Sequence, residues 1–163
     1  MVVLTEEIQR FVRYQRLGYV ATVSRDGTPN LSPKGSLTVW DDHHLVFADI
    51  ESPHTIQNLA TNPKVEVNVV DPFTRKGFRF RGTAKVLRSG DEYWKVVARY
   101  KSENADIRRI RAIVVIEVVE CAPLVSPVYL LGLNEADVRR LWEEYHVKSL
   151  QKTVVDLVPP NDF

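Results

Sequence analysis

Residues 32–63, SPKGSLTVWDDHHLVFADIESPHTIQNLATNP, carry the reading on which the rest of the chain depends. Two apolar runs flank the turn Asp41-Asp42-His43-His44, which predicts a hairpin. The second run, Leu45 to Ile50, leads into Ser52-Pro53. That dipeptide is a helix start, because proline at the first helical position gives up an N–H that has no partner there anyway. Asn62-Pro63 stops the helix, since the residue before a proline is driven out of the helical region. Two strands and a helix therefore bring one cation, Lys34, several small polar groups and a helix N-terminus to one end of a hairpin.

Working outward, Thr5 is placed to cap a short helix carrying Glu6 and Glu7 in its first turn, with Ile8, Phe11 and Val12 on one face and Gly18 as its stop. Tyr19 to Val23 reads as a strand. Asp26-Gly27 supplies the positive φ of a tight hairpin turn, which makes the strand Leu31–Val39 its antiparallel neighbour. Pro33 and Gly35 do not fit a fully paired central strand, so a bulge or an edge is expected there. Val65–Val70 and Phe78–Leu87 alternate almost strictly, and Ala112–Val119 is the strongest apolar run. Helices are expected over Asp91 to about Asn104 and Glu135 to about Lys148, the latter capped by Asn134. Six strands in hairpin order with short flanking helices make an α+β protein built mainly on an antiparallel sheet, and strands this regular favour a small barrel.

At 163 residues the chain has the length of one domain with its own core. A single domain over 1–163 is expected, with 126–163 as a helical C-terminal extension. Twenty-two Lys and Arg against 21 Asp and Glu give a net charge of +1, too little field to argue for nucleic acid or an anionic membrane. No run approaches the roughly 18 apolar residues of a membrane span, and Glu6 and Glu7 do not suit a signal peptide. The one cysteine, Cys121, excludes an internal disulfide and fits a reducing cytoplasm, the expected location.

The chemistry points to an anion. Taken alone, Ser52-Pro53 is an ordinary capped helix start. Lys34, brought to the same end by the hairpin, and His54 and Thr55 as side-chain donors raise a second reading: a cation, donors and a helix dipole around a phosphate. Ser32, Pro33, Gly35 and Ser36 kink the strand beside Lys34 and free backbone groups for a planar ligand bearing C=O and N–H groups. His43-His44 reads as a solvated turn, and no metal site is expected. Glycine-rich nucleotide loops, a nucleophile elbow and His-Glu-x-x-His are missing. For Arg79, Arg81, Lys85 and Arg88, and for Arg108, Arg109 and Arg111, ion pairs or an anionic substrate suit the balanced charge better than nucleic acid.

With these residues in hand, the chain resembles the pyridoxamine 5'-phosphate oxidase-like FMN-binding split-barrel family. The resemblance rests on Ser32-Pro33-Lys34-Gly35, a strand, and the Ser52-Pro53-His54-Thr55 helix start, and it spans roughly Leu17 to Leu87. It implies a six-stranded split barrel that binds FMN, with the phosphate at Ser52, His54 and Thr55. It further implies Pro33, Lys34, Gly35, Phe47, Ala48 and Asp49 along the ring and ribityl chain, and Asn58 beside them. A two-fold homodimer with flavin between subunits is implied as well. The chain departs from oxidases of the vitamin phosphate: it ends in Asp-Leu-Val-Pro-Pro-Asn-Asp-Phe instead of an arginine-rich motif, and Gly77 stands where a ring-contacting glutamine is usual. The small, general branch is the better match.

The function expected is therefore an FMN-dependent oxidoreductase acting on a small-molecule redox substrate or NAD(P)H, with no residue marked as a catalytic acid or base. Lys34 would stabilise the reduced flavin if near the ring edge, and anchor the phosphate if near the helix. Besides a structural dimer in which the Ser52 cap and Lys34 do only local work, two alternatives stand beside it. One is a non-catalytic flavin-binding or flavin-sensing protein. The other is a haem-binding use of the same barrel, with His54, His146 or His43 as axial ligand.

Overall fold

The computed structural model describes residues 3–103 and 109–156, with side chains through residue 151. Arg108, the expected helix end at Asn104 and the C-terminal residues 157–163 lie outside the described residues. The chain groups into two compact units, Met1–Val69 with Gly77–Pro123, and Val70–Lys76 with Leu124–Phe163.

The elements follow in the order α1 (Glu6–Gln15), β1 (Gly18–Val23), β2 (Pro29–Lys34), β3 (Thr38–Val39), β4 (His44–Asp49), α2 (Pro53–Thr61), β5 (Lys64–Asp71), β6 (Lys76–Leu87), α3 (Asp91–Ser102), β7 (Ala112–Val125) and α4 (Glu135–Asp156). A 3-10 helix, Pro127–Leu131, stands before α4. The strands form one curled antiparallel sheet, a half-barrel of order β2-β1-β5-β6-β7-β4-β3. The α+β split barrel expected from the sequence is the fold observed.

It has seven strands where six were expected, because the run Leu31–Val39 divides. β2 ends at Lys34 and β3 begins at Thr38. These consecutive strands are the opposite edges of the sheet, so residues 35–37 carry the chain across the gap. Ser36 closes this seam. Its Oγ accepts from the Ala48 amide at 3.0 Å and donates to the Ala48 carbonyl at 3.2 Å, and its own carbonyl accepts from the Tyr100 hydroxyl at 2.7 Å. Burial raises the Tyr100 hydroxyl well above the ordinary tyrosine value, so it stays a donor. Gly18 does not end α1. Arg16 does, at φ 54, and Gly18 instead opens β1 opposite Lys34, where any Cβ would run into the Leu37 side chain.

Two apolar clusters explain why residues 45–48 of β4 and 112–116 of β7 read as unbroken hydrophobic runs. Phe47, Leu45, Val114 and Ile116 face one cluster with Val20 and Phe80. Val46, Ala48, Ile113 and Val115 face the other, covered by Tyr93, Val96, Val97 and Tyr100 of α3. A strand buried on both faces has no polar side to alternate with. β6 keeps alternation, with Phe80, Gly82 and Ala84 inward and Arg81, Thr83 and Lys85 exposed. At Gly82 a Cβ would meet the Glu117 carbonyl of β7, so the two strands approach where only glycine fits.

The second unit is built on the turn after β5. The Asp71 carboxylate accepts from the Phe73 amide at 2.9 Å, the Thr74 hydroxyl at 3.0 Å and Arg139 at 3.2 Å. Arg75, at φ 58, stacks its guanidinium 4.1 Å from the centre of the Trp142 ring. The Asn134 cap is present, its Oδ1 accepting from the Asp137 amide at 3.0 Å. α4 runs to Asp156, beyond the expected Lys148.

Candidate functional site

Lys34 is the last residue of β2, and its side chain turns inward at the seam. It is 5% exposed. Its Nζ donates to Ser32 Oγ and Ser52 Oγ, both at 2.6 Å, and lies 5.6 Å from the centre of the Phe47 ring. Burial pushes the ammonium below the ordinary lysine value, and the Asp49 carboxylate acts in the opposite sense. Among the described residues no carboxylate comes within ion-pair distance of it. A buried ammonium satisfied by two neutral hydroxyls has no counter-charge in direct contact, and such a charge costs several kcal/mol unless something compensates it.

The hydroxyl of Ser52 is thus occupied by Lys34. It makes no capping hydrogen bond to α2, contrary to the plain reading of Ser-Pro as a cap. With Pro53 lacking an N–H, the amides of His54 and Thr55 head the helix without intrahelical partners. The helix start, the cation and two hydroxyls share one corner, as the spacing predicts.

Thr55 and Asn58 are buried and Pro33, Gly35 and His54 are exposed. Asn58 Nδ2 donates to Thr22 Oγ1 at 3.0 Å, and Asn30 Nδ2 donates to the same oxygen at 3.0 Å and reaches Thr55 Oγ1 at 3.5 Å. This polar knot fastens α2 against β1 and β2 and fixes the direction of its N-terminus. Thr22 and Asn30 escaped the sequence reading. The available sign was a polar residue, Thr22, on the inward face that Val20 opens. Phe47 belongs to one core cluster and lies beside Lys34, whereas Ala48 belongs to the other, on the opposite face of β4. Asp49 is 6% exposed and its Oδ1 has no hydrogen-bond partner.

The three histidines considered for haem lie apart in kind. His54 is exposed on the first turn of α2. His43 belongs to the hairpin turn, 3.8 Å from Asp42. His146 is in the second unit, its ring against Phe73, Trp142 and Tyr145. In the same hairpin turn, His44 Nδ1 sits 2.8 Å from Asp41. Burial works to raise the Asp41 carboxyl, and the amide of His43, the His44 ring and the His44 amide outweigh it and hold the group below its ordinary value. No group of three metal-ligating side chains exists among the described residues. The basic face of β6 is largely paired: Arg79 and Arg81 with Glu66 at 3.1 and 2.9 Å, and Lys85 with Glu92 at 3.0 Å.

Residues 4–122 match the family model for pyridoxamine 5'-phosphate oxidase. The chain belongs to the pyridoxamine 5'-phosphate oxidase-like split-barrel family. The chain is similar to HupZ of Group A Streptococcus, 30% identical, with 75% of this chain and 94% of the other superposing at a TM-score of 0.68. An uncharacterized protein of Methanocaldococcus jannaschii is 27% identical over 128 residues, 77% of this chain and 84% of that one. An FMN-binding protein of Syntrophomonas wolfei shares the fold at 18% identity, with 76% and 87% of the two chains covered and a TM-score of 0.63. The family match takes in the whole Lys34 corner and stops short of α4. No helix among the described residues is long and apolar enough to cross a membrane.

Proposed function

We propose that the protein binds FMN at the Lys34 corner and works as a flavin-dependent oxidoreductase of the general branch of this family, as a cytoplasmic homodimer. The observation that carries this is the buried Lys34 ammonium, whose hydrogen-bond partners among the described residues are the hydroxyls of Ser32 and Ser52, at a helix start that no side chain caps. A phosphate dianion is the missing counter-charge, and the residues fit it. Lys34, Ser52 and the amides and side chains of His54 and Thr55 would grip the phosphate. The exposed backbone around Pro33 and Gly35 would read the polar edge of the ring. The FMN-binding protein of Syntrophomonas wolfei, on the same fold, supports the choice of flavin among phosphate ligands.

When bound, flavin supplies hydride transfer, and the electron partner is a small redox substrate or NAD(P)H. The chain's own residues bind and orient. Lys34, bonded to Ser52 at the helix start, suits an anchor for the phosphate better than a partner for the ring edge. The Thr22–Asn30–Asn58 knot keeps the helix aimed. Oxidation of pyridoxamine phosphate itself is not proposed, given Gly77 in place of glutamine.

The test is the absorbance spectrum of purified protein before and after adding FMN. A bound, shifted flavin band is expected, with release of FMN on denaturation. A spectrum that stays that of free FMN, with no retention on gel filtration, would sink the proposal. A pure binding or sensing role is the second reading, favoured by a corner whose buried cation is tied to two hydroxyls. Steady-state NAD(P)H oxidation in air separates it from turnover.

A further inference from the structure

A cavity of about 500 Å³ lies between the C-terminal ends of α1 and α3 and residues 35–37, the segment that carries the chain from β2 to β3. Its volume is that of a small-molecule site. Gly35 lines it, and the backbone of Gly35 is one of the groups assigned above to the polar edge of the flavin ring. The cavity therefore adjoins the Lys34 corner and belongs to the same site.

Its charge is one-sided. Arg13 and Arg16 border it from α1 and Arg99 from α3, and Glu103 is the carboxylate that meets them among the described residues. Glu103 lies 3.7 Å from Arg16 and 3.4 Å from Arg99, so one carboxylate serves two guanidiniums. Arg13 donates to the neutral side chain of Gln9 at 3.1 Å. The negative ends of the two helices take up part of the charge, and a surplus of positive charge remains. Arg13 and Arg16 are exposed, so an incoming anion meets them without disturbing the core. Leu37 lines the cavity as well, and Arg99 lies over the Trp40 ring, 5.7 Å from its centre. Apolar surface beside a guanidinium plane suits a purine as well as a phosphate.

We propose that these arginines hold the 2'-phosphate of a pyridine dinucleotide, so that the electron partner of the site is NADPH and not NADH. The inference rests on FMN binding at the Lys34 corner. The 2'-phosphate is the group that NADH lacks. It is a monoester, with a charge of roughly −1.5 to −2 at neutral pH, and it answers the surplus at the cavity. Arginine is the side chain that accommodates this phosphate in dinucleotide sites, because its fork of donors matches the phosphate oxygens.

The experiment is calorimetric titration of the full-length protein, incubated with FMN, with adenosine 2',5'-bisphosphate and with 5'-AMP, which differ only in the 2'-phosphate. The bisphosphate should bind at least about ten-fold more tightly, the size of one charge-assisted hydrogen bond. An Arg13→Gln/Arg16→Gln double variant, changed only at exposed positions, should lose that preference. Failure of both nucleotides to bind overturns the proposal, as does equal binding of the two or a double variant that still discriminates. So does phenyl phosphate bound as tightly as the bisphosphate, which would make the cavity a site for small phosphate esters. The flavin band, read on the same samples, tells two failures apart. A bound flavin without discrimination overturns this inference alone, and an absent flavin band overturns the Lys34 reading on which it rests.

Discussion

At the scale of single residues, Lys34 sets stability against binding. Its ammonium is buried, its burial lowers its proton affinity, two hydroxyls accept its hydrogen bonds, and the Asp49 carboxylate acts on it only from beyond ion-pair distance. Lys34→Met keeps the length and removes the charge. In the absence of ligand the variant should be as stable as the parent or more so, by on the order of 1 kcal/mol, a rise of about 2–4 °C in melting temperature for a chain of this size. The same variant should lose FMN binding in a titration followed by flavin fluorescence. A melting temperature that falls would show that Lys34 already has its counter-charge inside the protein. The dependence on pH has a definite sign. Below its lowered value the lysine is charged in both folded and unfolded chains, and the fold carries the whole cost of burying it. Between that value and the ordinary 10.5 the unfolded chain holds the extra proton, and stability climbs with pH. The stability gap between Lys34→Met and the parent, measured by urea unfolding, should therefore narrow as pH rises towards 10.5.

At the scale of elements, what could be read in the sequence was whatever one periodicity or one turn determines. Asp26-Gly27 gave the β1–β2 hairpin, with Gly27 at φ 87, and the β6 alternation gave its inward face. The division of Leu31–Val39 into two strands on opposite edges was foreshadowed by Pro33 and Gly35, but its topology was hidden. It depends on Ser36 meeting the Ala48 main chain, a contact no local pattern encodes. The Lys34–Ser52 contact joins residues 18 apart and became legible only once a hairpin was assumed between them. The Asn30–Thr22–Asn58 knot was illegible, because buried amides look like surface ones until the partner strand is known. Gly82 is a similar case, an unremarkable glycine in an alternating strand that proves to sit against the Glu117 carbonyl. Gly82→Ala should destabilise the fold by about 1–3 kcal/mol, the usual range for overpacking, with a drop in urea midpoint and no change in the flavin spectrum of the folded fraction. Ser36→Ala should loosen the seam instead. Two main-chain groups of Ala48 would lose their partner, costing about 1–3 kcal/mol, and FMN should dissociate faster because Lys34 stands two residues away.

At the scale of the molecule, the outer face of the first unit carries more exposed apolar surface than a solitary barrel needs. Tyr19 is 43% exposed, Leu31 65% and Val119 68%. A groove of about 410 Å³ lined by Ala21, Val23, Pro29, Val65 and Val119 lies in the same region. Exposed apolar residues beside such a groove are what the proposed homodimer would cover with a second copy of the chain. Arg81 and Glu120 flank Val119, 3.3 Å from each other, and supply the polar rim usual around an apolar interface core. Val119→Lys places a charge in the middle of that face without touching either buried cluster, so the barrel itself should fold normally. The parent is expected to sediment as a dimer at micromolar concentration and the variant as a monomer, with far-ultraviolet circular dichroism unchanged. If flavin sits where the two copies meet, the variant should also lose FMN affinity by about ten-fold or more, and raising the protein concentration should restore it by mass action. A Val119→Lys dimer as tight as the parent would place the interface elsewhere, and a monomer that binds FMN with full affinity would confine the flavin site to one chain.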